Sequence, residues 1–235
     1  MKRFWDRAEI DADGSGYILR LDGKPMRLPG GEMLQIDQRP LAEAIAAEWQ
    51  LPALGVEISA NDLPLTQLAA TARFRVAPAA AETAASIAAY ARSDLLCYRA
   101  EQPPDLVDRQ QAAWQPWLDW AAQRYDAKLL VTRGIVFVDQ SPQALAALAR
   151  AVAEQDTHAL AALGVMVPSM GSLVLGLAVR EGMLEADEAF ELSALDEAFQ
   201  EEHWGRDQEA AAQRDRAAQE VRMAARYILL TRSAT

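Results

Sequence analysis

The chain lacks most of what small-molecule chemistry is built from. Its 235 residues include one cysteine, Cys97, and two histidines, His158 and His203. A single cysteine excludes an internal disulfide and fits a reducing compartment. One Cys and two His leave a Cys/His zinc site short of ligands, so no metal and no cofactor are expected. No G-x-x-x-x-G-K-S/T loop, no G-x-G-x-x-G between a strand and a helix, and no G-x-S-x-G elbow occurs. These absences remove the P-loop, the dinucleotide fingerprint and the hydrolase nucleophile turn. Cationic residues are outnumbered, 23 Lys and Arg against 34 Asp and Glu, for a net charge of -11. That argues against a nucleic-acid backbone or an anionic membrane as the main partner. No apolar run reaches the ~18 residues of a membrane span. MKRFWDRAEI has no apolar segment of the kind a secretory signal needs, and it does not look like a transit peptide.

What is present is alanine, with about half the chain apolar at 51%. That is enough for a core and favours helices. Up to about Asp37 the sequence reads as strands. Tyr17–Leu21 runs into Asp22-Gly23 and then Lys24-Pro25-Met26, a strong hairpin signal because both turn residues tolerate positive φ. Pro29-Gly30-Gly31 predicts the next turn and 33–37 a third strand, giving an antiparallel meander with Pro25 at an edge or a bulge. Asp11 to Asp22 resembles a calcium loop, with Asp11, Asp13, Ser15 and Gly16 in place. It ends in Asp22 rather than Glu, and no helix follows, so it reads as a turn. Pro40 opens a helix whose Leu41, Ile45 and Trp49 share one face, and a further helix is predicted over 65–76. The expected fold is α+β: a small antiparallel β-rich domain with one or two helices over 1–75, then a larger α-helical domain over 76–235.

The second part carries helix signals throughout. Trp114, Trp117 and Trp120 stand at helical spacing, with Pro116 predicted to kink or restart that helix. Ser141-Pro142 is a helix start, with a second start at Asp156 and an end expected at Gly164. Residues 173–179, LVLGLAV, are apolar all round and predict a buried central helix. One helix is expected over 185–204, with Glu197 and Glu201 outward, and a last one from 207 to about 230. Cys97, with His158 or His203 as base, offers a nucleophile on paper; flanked by Leu96 and Tyr98 it reads as a small buried residue.

The segment 198–210, AFQEEHWGRDQEA, mixes Phe199 and Trp204 with Glu201, Glu202, Asp207 and Glu209 around Gly205. It reads as a corner between two helices, either a packed turn capped by Trp204 or a surface made to be gripped. The residues alone leave a binder, an adaptor and an enzyme using this carboxylate corner or Cys97 all open.

Several stretches, taken in order, resemble the ATP-twelve family of assembly chaperones. They are RFW at 3–5, LDGKPMRLP at 21–29, LAEAIAAEWQ at 41–50, LPLTQLAATA at 63–72, SDLLCYRAEQP at 93–103, GSLVLGLAV at 171–179 and FQEEHWGRDQEA at 199–210. DLLCYR and FQ-x-x-x-WG-x-D-x-E-A are the most specific. The chain departs at Arg73, near which relatives tend to be acidic. The resemblance implies a two-domain α+β protein without enzyme activity. It implies a partner, the free alpha subunit of the F-type ATP synthase, whose beta-facing surface is covered until the hexamer forms. Carried onto this sequence, it implies partner contacts at Glu201, Glu202, Trp204, Asp207 and Glu209, no catalytic residue, no cofactor and a monomer. A bacterial, cytoplasmic protein is expected, with eukaryotic relatives in the mitochondrial matrix.

Overall fold

The computed structural model describes residues 2–134, 136–205 and 207–232. The chain divides into two compact units, Met1–Pro78 with Arg226–Thr235, and Ala79–Ala225. The first holds a small antiparallel sheet and the second is helical, the α+β arrangement that the sequence predicts.

In the first unit, strands β1 (Ala8–Asp13), β2 (Gly16–Leu21), β3 (Lys24–Pro25) and β4 (Gln35–Ile36) form one sheet centred on β2. Asp22 and Gly23 take φ of 48° and 76°, which sets Leu21 opposite Lys24. β1, β2 and β3 form the expected antiparallel meander, but the last strand departs from it. β4 returns to β2, with Tyr17 opposite Ile36, instead of extending past β3. The Met26 N–H points inward to the Leu19 carbonyl at 2.8 Å, so Pro25 turns its missing N–H to the outer edge and closes it. The calcium-like loop is a turn, as expected. Asp13 and Gly16 close the hairpin, Asp11 pairs with Arg20 at 2.8 Å, and the Asp22 carboxylate accepts from the Asp6 and Arg7 N–H groups.

Helix α1 (Arg39–Gln50) buries Leu41, Ile45 and Trp49, the predicted face. Its last carbonyls have a cation: the buried Arg3 guanidinium donates to Gln50 O at 2.8 Å and also to Pro52 O. Such a donor satisfies orphan helix-end carbonyls and complements the dipole. Trp5 is fully buried, its ring 5.2 Å from Trp49, while neighbouring Phe4 is 77% exposed. Helix α2 (Pro64–Thr71) is capped from a distance by Glu48, which accepts from Leu65 N, Thr66 N and the Thr66 hydroxyl at 2.7, 3.0 and 2.7 Å. Burial raises the Glu48 pKa despite these bonds.

In the second unit, α3 (Ala80–Ala88) leads to β5 (Tyr98–Arg99). The long α4 (Pro104–Tyr125) follows, then β6 (Thr132–Arg133), parallel to β5. Helices α5 (Pro142–Ala153), α6 (Thr157–Met170), α7 (Leu173–Glu181), α8 (Ala186–Ser193), α9 (Leu195–Trp204) and α10 (Gln208–Thr231) follow, the residues of α10 from Arg226 onward belonging to the first unit. Ser141, Asp156 and Ser172 cap α5, α6 and α7 with their side-chain oxygens. Residues Leu173 to Val179 are all buried, so α7 is the expected apolar centre. A Cβ on Gly176 would sit 2.6 Å from a Val167 methyl; here the glycine admits α6.

Three expectations fail in this unit. α4 does not restart at Pro116 but continues as one helix to Tyr125, because the turns on either side are held by buried Trp114, Leu118 and Ala121. α6 passes through Gly164 and ends at Gly171, φ 64°; Gly164 is exposed, and a helix tolerates glycine there at a modest cost. The helix expected over 185–204 breaks at Ala194, φ -96° and ψ 16°. The Trp114 indole donates to the Leu192 carbonyl at 2.8 Å, and the Ser193 hydroxyl donates to Phe190 O at 2.7 Å. The Leu192 carbonyl is one that a continuous helix needs for its own ladder, whereas Phe190 O keeps its helical bond from Ala194 N at 3.0 Å.

Candidate functional site

The corner at the end of α9 is built on one backbone conformation. Gly205 has φ 89° and ψ 166°, a region essentially closed to residues with a Cβ. The Asp207 carboxylate then accepts from Glu209 N at 2.8 Å, capping α10. Trp204, immediately before the break, is 78% exposed. It caps no core, which removes the packed-turn reading. Large aromatics this exposed are uncommon on a monomer's surface and are enriched where proteins meet.

The carboxylates do not form one cluster. Glu201 is half-buried rather than outward, and takes Arg214 of α10 at 2.6 Å. Glu202 turns to Arg109 of α4, which reaches both its oxygens at 3.0 and 2.8 Å. The Arg109 guanidinium also lies 5.1 Å from the Phe199 ring centre, and Phe199 stacks on His203 at 4.2 Å. Glu209 is exposed. The two arginines escaped the sequence reading. Arg109 is 93 residues from its partner, and nothing local announces it.

A groove of about 720 Å³ runs beneath the corner, between the end of α6, helices α8 and α9, and the start of α10. Glu201, Trp204 and Asp207 line it; Glu202 and Glu209 do not. Phe190 and Met170 supply apolar wall, and Glu197 a further carboxylate.

The other specific motif, 93–99, is internal. Asp94 is fully buried and accepts from Leu96 N, the Ser172 hydroxyl and Val174 N at 3.1, 2.8 and 3.0 Å. It thereby fixes its own turn to the start of α7. Burial pushes the Asp94 carboxyl upward. Cys97 is fully buried, and burial, with Asp94 beside it, pushes its thiol far up. A thiol in that state is a poor nucleophile. Arg99 donates to the side chains of Gln111 and, at 2.9 Å, Gln115. Among the described residues no group of three or more His, Cys, Asp or Glu is placed to hold a metal ion.

The description of the ATP12 chaperone protein family matches residues 2–122. The chain belongs to the ATP12 chaperone family. Across nearly its whole length it is similar to solved Atp12 of Paracoccus denitrificans. The identity is 42%, 98% of both chains is covered and the TM-score is 0.92. An aspartate-to-lysine mutant of the same Paracoccus protein matches at 41% identity, the same coverage and a TM-score of 0.92. The mitochondrial protein atp12 of Schizosaccharomyces pombe is 22% identical over 216 residues, which cover 87% of this chain and 74% of that one. The ATP12 match over 2–122 includes Arg3, Glu48 and Asp94, while the corner at 198–210 lies outside it.

Proposed function

We propose that this chain is an assembly chaperone for the catalytic head of the F-type ATP synthase. It binds the free alpha subunit and covers the surface that alpha turns to beta. The observation that carries the reading is a tryptophan left 78% exposed at a helix corner, in a chain of a chaperone family. An unassembled subunit exposes a large apolar interface, which self-associates unless covered. An aromatic anchor rimmed by acids suits such a surface, and the net charge of -11 steers a basic partner. Glu201, Glu202, Trp204, Asp207 and Glu209 form the contact region. Trp204 supplies the energy, Glu201 and Glu202 present ion pairs, and Asp207 holds the corner's shape. The protein acts by binding, not catalysis, as a monomer in the bacterial cytoplasm.

The test is capture of purified alpha or beta subunit from the same source on the immobilised chain. Selective capture of free alpha, released by added beta, is expected. Capture of beta alone, or of neither, overturns the reading.

A further inference from the structure

The geometry points to the groove beneath the corner as the seat of an amphipathic polypeptide segment carrying apolar side chains and an arginine or lysine. The client's identity rests on the chaperone reading above; the segment's chemistry rests on the groove.

At about 720 Å³ the groove is large enough to take several side chains. Phe190, Met170 and Trp204 offer apolar contact. Its described charged lining is Glu197, Glu201 and Asp207 against Arg214 alone, and Arg214 already pairs with Glu201 at 2.6 Å. A purely apolar occupant would strip water from Glu197 and Asp207 without replacing it, which is unfavourable. An acidic occupant would add like-charge repulsion. A cation beside apolar side chains matches both walls at once. The acidic lining disfavours phosphate backbones and anionic headgroups. Trp204, exposed on the rim, continues the apolar surface outward, as a chain running out of the groove requires.

Two variants isolate the groove. Ala210→Trp fills it from an exposed position on α10, and Glu197→Arg reverses its free wall. Neither replaces Trp204, Glu201 or Arg214. Both are expected to keep the urea midpoint of the parent. The probes are short fluorescein-labelled peptides of leucine and alanine interspersed with arginine, and a matched set with glutamate for each arginine. Fluorescence anisotropy reads their affinity, and unlabelled alpha subunit serves as competitor.

The expected result is binding of the arginine set alone, weakened about 10-fold or more in each variant. Equal binding of both sets, no binding of either, or unchanged affinity in both variants overturns the groove proposal. Competition separates the two readings. If the arginine peptides bind the groove and alpha neither binds nor displaces them, the groove stands and the client assignment falls. If alpha binds parent and variants alike, the chaperone reading stands and the groove proposal falls.

Discussion

The two most distinctive stretches of this sequence, 93–99 and 199–209, do opposite things. Each mixes acids, arginine or histidine, and aromatics in a tight pattern. In the first, Asp94 and Cys97 are fully buried and the acid meets three donors. In the second, Trp204 faces solvent beside the glycine that ends its helix. Distinctive residues mark constraint, and only burial with bond satisfaction says whether the constraint points inward to the fold or outward to a partner. Buried polar groups must be paired, so a packed motif closes on itself. An exposed aromatic is closed by nothing in its own chain.

Substitutions can break this contrast, and the largest effect belongs to the inner motif. Asp94→Ala leaves the Leu96 and Val174 N–H groups and the Ser172 hydroxyl without their acceptor. A loss of about 3–5 kcal/mol of stability is expected by urea unfolding. A loss below about 1 kcal/mol would mean that water replaces the carboxylate and that the inner motif is not what holds the turn to α7. Trp204→Ala should cost about 2 kcal/mol of partner affinity in a binding titration, with the unfolding curve unmoved. A fall in stability instead would place Trp204 with the inward group. Gly176→Ala drives a methyl into Val167, and about 1–3 kcal/mol of destabilisation is expected from the thermal midpoint. Glu202→Gln removes an exposed ion pair with Arg109, so stability should shift by less than about 1 kcal/mol. Any larger change in alpha capture by that variant would show that the pair belongs to the contact surface.

The legible parts of the fold are those written locally. Asp22-Gly23, Pro40, Ser141-Pro142 and Ser172 set turns and helix starts through neighbours within a few residues. The illegible parts are set from far away. α9 begins where it does because Trp114, 78 residues upstream, takes a carbonyl from the helix before it. β4 joins β2 because an outer edge was closed by Pro25. Gly164 looks like a helix stop in sequence, yet the helix continues because packing on its other face outweighs one glycine. At the corner, the helix break and its acids could be read from the sequence. The separation of Glu201 and Glu202 onto Arg214 and Arg109 could not, since α10 and α4 approach α9 through the tertiary fold.

The exposure of Trp204 has an optical consequence. Trp5, Trp49 and Trp114 are buried, and Trp117 and Trp120 are half-buried. Aqueous quenchers should therefore reach one indole far ahead of the other five. The emission that acrylamide removes first should be the red-shifted light of Trp204, and shielding of that fraction would report occupancy of the corner without any label.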